Sequence, residues 1–316
     1  MRRLFFIVLL SFCVSQSFAE VTVVLNSGDG SISLVDRHTY QPIKHFYVGK
    51  EPHHLMSTPD NSALIVADAV SNDLVFLNPT TGEIEKRISR ISDPYQIGFS
   101  PDKKWFVSNS LRLDRVDIYR ADDFSLIARI PLSSMPSHLA FNQQSTMVFI
   151  TLQGSNQLAA IDLATQKVAW IIPVGNTPAG IIMTPDNQHL LVGVMGDNGV
   201  AVVDWRKAQI VKHIPTGVGA HNFMPLGDHR HVLISNRGGD TISLIDTNTL
   251  TVDHTFPIPG GPDDMEISQD MKELWVTCRW VKEVRVVDLT NYHITHVIPV
   301  GRSPHGLFFM SHAPRQ

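Results

Sequence analysis

A period of 42 residues runs through this chain without a gap. Pro52, Pro94, Pro136, Pro178, Pro262 and Pro304 stand at that step, and Ala220 fills the one position that proline leaves. With 19 prolines in 316 residues, six on seven equally spaced positions mark a true repeat. Two further columns keep the same step. One is Asp36, Asn78, Arg120, Asp162, Asp204, Asp246 and Asp288; the other is Asp60, Asp102, Gln144, Asp186, Asp228, Asp270 and His312. Seven units of 42 account for 294 residues, so one architecture must absorb nearly the whole chain.

Each unit predicts four short strands. In the unit that starts at Pro52 they fall at 53–57, 63–67, 74–77 and 83–88. Thr58-Pro59-Asp60-Asn61 and Asn78-Pro79-Thr80-Thr81-Gly82 separate them as turns, with Pro, Asp, Asn and Gly in roles that suit them. Runs such as Val148-Phe149-Ile150 and Val232-Leu233-Ile234 are continuously apolar, as in strands buried on both faces. The strand at 83–88 alternates and carries charge, which places it outermost. Four strands in each of seven units predict an all-β, seven-bladed β-propeller. The ends of the repeat agree: the chain finishes on one strand, 304–310, and begins with three, 21–25, 31–36 and 43–48. One and three complete a seventh blade, whereas an open solenoid would need polar capping units. Closure also removes the free sheet edges that invite aggregation.

Residues 1–19 are expected to be a cleaved signal peptide. Arg2 and Arg3 precede a mostly apolar run over 4–14, and Ser17-Phe18-Ala19 sets small residues where a signal peptidase reads. The run is too short to cross a bilayer. The propeller domain is then 20–316, periplasmic or secreted, with no membrane span after cleavage, and a monomer is expected. The leader holds two arginines and no acid, so its loss moves the net charge from −4 to −6. Without clustered Lys and Arg, that balance argues against a nucleic-acid partner. Cys278 is the one cysteine beyond the leader, so no intrachain disulfide forms even in an oxidising compartment. No Cys-x-x-Cys-His stands ready to hold haem covalently.

Chain direction puts the loops before first strands and those joining second to third strands on one face, called here the top. The position after the proline column holds His53, Tyr95, Ser137, Ala179, His221, Asp263 and His305; the next holds His54, Gln96, His138, Gly180, Asn222, Asp264 and Gly306. Both rows crowd the mouth of the central channel. The second-to-third-strand loops add Asp68, Asn109, Arg112, Asn236, Arg237, Arg279 and Trp280, with Arg237 and Arg279 at one repeat position in neighbouring blades. Function on varied loops over a rigid scaffold is the usual arrangement. His53, Tyr95, His221, Asp263, His305, Arg237 and Arg279 are therefore predicted to bind ligand. His53, His221 and His305 are the candidate metal ligands, since imidazole and carboxylate hold transition metals or act as acid and base. The arginines can clamp a carboxylate or phosphate. The competing view makes these residues the solvated wall of a wet opening. Strand alternation is expected to set His53 and His54 on opposite faces. Trp105, Trp170, Trp275, Met183, Met224, Met265 and Met310 are expected in packing, and Cys278 is expected to be a buried inert thiol.

The unit resembles the YVTN-type β-propeller repeat. Val174-Gly175-Asn176-Thr177-Pro178, then Thr184-Pro185-Asp186, then Gly199-Val200-Ala201-Val202-Val203-Asp204 carry the likeness, which covers essentially all of 20–316. The turns at Gln143-Gln144 and Leu226-Gly227 depart from it. This resemblance implies the propeller fold and a relation to exported proteins and to cytochrome d1-type propellers. It suggests a binding module for a small ligand, a cofactor or a periplasmic partner protein on the top face. The alternative it implies is an enzyme or cofactor-maturation factor, with a haem-type tetrapyrrole, or a divalent metal as in streptogramin-lyase-like propellers.

Overall fold

The computed structural model describes residues 20–315; the expected leader at 1–19 with its cleavage site, and Gln316, lie outside the described residues. Seven four-stranded antiparallel sheets make a closed ring of blades. The first complete blade is β4 (Pro52–Ser57), β5 (Leu64–Asp68), β6 (Asp73–Leu77) and β7 (Ile84–Ser89), each within two residues of its predicted span. Closure occurs as the sequence implies. β28 (Pro304–Phe308) pairs with β1 (Val21–Asn26), which is followed outward by β2 (Ser31–Asp36) and β3 (Pro42–Tyr47). Among the described residues no helix is long and apolar enough to cross a membrane.

The repeat columns each solve one local problem in blade after blade. Asp36, Asn78 and Asp246 turn a side-chain oxygen onto two backbone N–H groups of the third-to-fourth-strand turn, at 2.7–3.4 Å. Asp60, Asp102, Asp186, Asp228 and Asp270 accept the N–H two residues on, at 3.0–3.2 Å, which fixes the first hairpin. A fourth column escaped the sequence reading. Asn72, Asp114, Asn156, Asn198 and Asp240 sit in the left-handed region and accept backbone N–H groups from the loop leading to the following blade, so they tie neighbours together.

Apolar side chains fill the spaces between blades. Val107 and Ile118 of one blade meet Val148 and Ile161 of the next. Trp275 is fully buried, Met224 and Met265 are in the core, and Trp105, Trp170 and Met183 pack against it. Met310 is a correction: it is 40 % exposed, because β28 ends at Phe308 and the chain turns out to the lower face. Cys278 is free and fully enclosed, and burial pushes its thiol up to about 12, which keeps it protonated and inert.

One irregularity bears directly on the channel. All seven inner strands shift register by one residue just after the proline column, as between Pro52 and His54 or Pro262 and Met265. Such a bulge interrupts strict alternation and re-aims the side chains beside it. In the first blade the bulge falls between Pro52 and His54, and His53 joins the aromatic contacts at the mouth, stacking on Tyr95 and meeting the edge of His305.

Candidate functional site

The bulged positions close a ring of side chains around the axis. His53 stacks on Tyr95 at 3.7 Å, Tyr95 meets the edge of His138 at 6.1 Å, and His138 meets His221 at 5.4 Å. His221 Nδ1 is 3.0 Å from Asp263 Oδ1, His305 Nδ1 is 2.6 Å from Asp263 Oδ2, and the His305 ring returns to His53 at 4.3 Å. Ala179 and Gly180 supply no bulk in the fourth blade, and that gap lets His138 and His221 touch across it. A Cβ on Gly180 would stand 2.1 Å from the carbonyl oxygen of His221.

Asp263 is the hub. It is wholly buried and accepts from Arg237, from Arg279 Nη1 at 3.1 Å, and from both flanking imidazoles. Burial pushes its carboxyl up, but His305, Arg237 and His221 together hold it well below the usual range. The predicted ligand-binding residues His53, Tyr95, His221, Asp263, His305, Arg237 and Arg279 are thus one connected cluster. Arg112 lies apart on the rim, paired with Asp93 and Glu51, and Trp280 is exposed. His53, His221 and His305 ring the axis rather than converge. Among the described residues, the three ligand atoms found within 4.8 Å of one another belong to His231, Asp246 and Asp253, elsewhere in the fifth blade. His221 has both ring nitrogens within 2.9 Å of Arg237 Nη2, so it is committed to the arginine and to Asp263.

Three imidazoles have a proton position that their neighbours dictate. His53 Nδ1 lies 3.1 Å from the carbonyl oxygen of Tyr95, which can only accept, so Nδ1 carries the hydrogen. His305 Nδ1 has two neighbours, the Asp263 carboxylate at 2.6 Å, which only accepts, and Arg279 Nη1 at 3.0 Å, which only donates. Arg279 Nη1 also has Asp263 as its acceptor, so the shorter contact to the carboxylate places the hydrogen on Nδ1. For His138 a chain decides the matter. Thr151 donates to the Ala179 carbonyl at 2.8 Å and so accepts from Ser137, at 3.0 Å; Ser137 Oγ is then free to accept from His138 Nδ1 at 3.1 Å. The protons assigned this way leave Nε2 of His53, His138 and His305 as lone pairs with no protein partner among the described residues.

Burial, reinforced by neighbouring positive charge, pushes all of these imidazoles toward the neutral form, while Asp263 pulls His221 and His305 partly back. His53 and His138 are held well below their ordinary value, His54 falls to about 3, His221 to about 4, and His305 is also lowered. Deeper on the same strand as Asp263, two carboxyls go the other way. Asp264, which accepts from Asn222 at 3.1 Å, and Glu266, paired with Arg315, are each lifted by burial to about 7. Glu266 and Arg315 were not singled out from sequence: they are 49 positions apart and meet because the tail folds back under the channel.

These shifts set a pH dependence. Below pH 6.5 the unfolded chain protonates five imidazoles that the folded chain keeps neutral, so their contribution is full above 6.5 and lost on acidification. Asp264 and Glu266 act oppositely, stabilising below their unfolded values and losing that contribution as the pH rises through about 7. Five against two leaves the unfolded state with the greater proton uptake between roughly pH 4.5 and 6.5, each net proton being worth up to about 1.4 kcal/mol per pH unit. The melting temperature is expected to fall steadily from pH 7 to pH 5. A melting temperature that is flat or rises over that interval contradicts the neutral-imidazole assignment.

In shape, the chain is similar to a functionally unknown protein from Desulfotomaculum acetoxidans (TM-score 0.79, 14% identity, 92% of this chain and 98% of that one). It is also similar to the dihydro-heme d1 dehydrogenase NirN, solved in complex with DHE (TM-score 0.68, 16% identity, 92% and 75%). A third neighbour is a Bacteroides fragilis protein provisionally described as a 6-phosphogluconolactonase (TM-score 0.73, 14% identity, 94% and 99%). At these identities the likeness is one of fold. No curated protein matches the chain in sequence. The family model for the YNCE-like beta-propeller covers residues 8–315, and the chain belongs to that family.

Proposed function

We propose that the protein is an exported, periplasmic or secreted, binding module that holds a small ligand at the top-face mouth of its channel. The observation that carries this reading is the set of three neutral imidazoles, His53, His138 and His305, with Nδ1–H fixed and Nε2 bare. A structural core histidine satisfies both nitrogens where it can, as His221 does. His53 and His305 from one repeat position and His138 from the next offer the same nitrogen as an open acceptor at the mouth, which suits a ligand with donors.

A second reading, cofactor binding with or without catalysis, follows from the chemistry of those nitrogens. An imidazole whose Nδ1–H is held by a carboxylate or carbonyl is the arrangement that orients metal-ligating histidines. His305 on Asp263 and His53 on the Tyr95 carbonyl both have it. Because the ring does not converge three atoms, a haem-type tetrapyrrole, which His53 or His305 would hold through a single nitrogen, fits better than a three-histidine chelate of a divalent metal. NirN, a fold neighbour solved with DHE, supports trying that class first.

The test is a haemin titration of the purified chain followed by absorption, with metal analysis of the protein as isolated. Expected is a saturable Soret shift at one equivalent, lost in a folded His53→Ala/His138→Ala/His305→Ala variant. A shift that persists unchanged in that variant overturns the assignment of these nitrogens. No shift and no stoichiometric metal removes the second reading and leaves a metal-free ligand.

A further inference from the structure

On the lower face, where the inner strands end, lies a cavity of about 620 Å³. That is within the ~300–1,000 Å³ of small-molecule sites. Most of its wall is apolar and comes from the inner strands of successive blades, Phe99, Leu139, Phe141, Ile181 and Met183, while His229, His231 and Gln143 add polar groups. Among its lining residues Arg315 is the one lysine or arginine.

Arg315 is placed there by the tail. His312 bridges to Ser268, and the N–H of Ala313 donates to the carbonyl of Ile267 at 2.7 Å, which carries the next residues beneath the channel. Nη2 of Arg315 then meets Glu266, whose side chain is 1 % exposed, and the guanidinium sits 5.4 Å from the Phe308 ring. The other N–H groups of this guanidinium have no hydrogen-bond partner among the described residues. A guanidinium has five donors in a planar fork and can serve two carboxylates at once. Burial lifts Glu266 to about 7 against the pull of Arg315, so near neutrality this acid neutralises only part of the arginine's charge.

We propose that this cavity binds a small amphipathic monocarboxylate, its apolar body against Phe99, Phe141 and Met183 and its carboxylate on the free donors of Arg315. The site is on the face opposite the imidazole ring and stands independently of the reading given for that ring. An aryl-alkyl acid matches both parts, because the wall offers aromatic and thioether surface and the one guanidinium sits at one side, while His231 is taken up by Asp228 and Asp253. A neutral amide of the same shape loses the charge-assisted pair and keeps only the apolar contact.

The experiment is a calorimetric titration of the full chain with 4-phenylbutyrate and, separately, with 4-phenylbutyramide. Expected is saturable binding of the acid at least tenfold tighter than the amide. Arg315→Gln is expected to abolish that preference while leaving weak binding of both. Should Arg315→Gln fail to fold because Glu266 is left alone, Arg315→Lys serves: it keeps the charge, loses the fork, and is expected to reduce the preference without removing it. Filling the cavity with Met183→Trp is expected to eliminate binding of both compounds. Equal affinity for acid and amide, no saturable binding of the acid, or a preference unchanged in the Arg315 variants overturns the proposal.

Discussion

Deleting residues 304–316 is expected to leave the chain insoluble or unfolded, although only 13 of 316 residues are removed. The deleted piece contains β28, the inner strand of the closing blade, paired with β1 from Val23↔Phe308 to Asn26↔Pro304. Leu307, Phe308 and Phe309 are at most 3 % exposed, and at about 1.5–3 kcal/mol for each buried side chain their loss removes roughly 5–9 kcal/mol. Natural domains have only about 5–15 kcal/mol in total. The cut also strips Ser311 from Glu20 and Arg37, contacts that fasten the two ends of the chain at 2.8 and 2.9 Å. β1 then becomes an apolar edge flanking an open ring, the kind of edge that pairs with other chains. The soluble fraction and a thermal melt decide the matter. Removing Gln316 alone spares these contacts and the Arg315–Glu266 pair, and is expected to stay soluble. If the long deletion melts where the intact chain does, closure by one strand and three is not what stabilises the ring.

How far the sequence could be read depended on whether a feature repeats. Asp60 and its column were visible because the same hairpin needs the same acceptor in blade after blade. The mouth residues were visible for a related reason: His53, His221, Asp263 and His305 share one repeat position, so a ring at one height followed from counting. What counting could not supply is which neighbour each side chain chooses. Asp263 gathers Arg237, Arg279, His221 and His305 because consecutive blades lean these groups toward one point, and no spacing along the chain encodes that lean. The bulge beside His53 and His54 was not legible either, since it has no side-chain signature of its own. Ala179 and Gly180 read as blanks in the two rows, yet their smallness is what brings His138 to His221. Glu266 and Arg315 were illegible for the opposite reason. Each stands outside any column, and only the returning tail joins them.

Asp263→Asn is expected to be the most damaging single substitution in the channel, lowering the unfolding free energy by about 3–5 kcal/mol, as when one partner of a buried ion pair is removed. The shape of the side chain is kept, so the effect isolates its charge. Arg237 and Arg279 are 21 % and 26 % exposed and converge on this one carboxylate. Without it two guanidinium groups face each other with no anion between them. The loss reaches the imidazoles as well. Asp263 is the acceptor that keeps the proton on His305 Nδ1, and an amide can turn its NH₂ toward the ring instead, releasing that preference. Haemin binding through His305 Nε2 is then expected to weaken along with stability, whereas a purely structural carboxylate would change stability alone. Removing the whole charged cluster distinguishes the penalty of stranded arginines from a need for the ion pairs themselves. Asp263→Leu combined with Arg237→Met and Arg279→Met is expected to be more stable than Asp263→Asn, because well-packed apolar groups can replace a buried charge network at little loss. Urea unfolding of the three proteins measures each step. An Asp263→Asn variant within about 1 kcal/mol of the parent, below the ~1–3 kcal/mol of even one unsatisfied buried group, would show that solvent reaches the hub and that the ring is an open, hydrated mouth rather than a closed network.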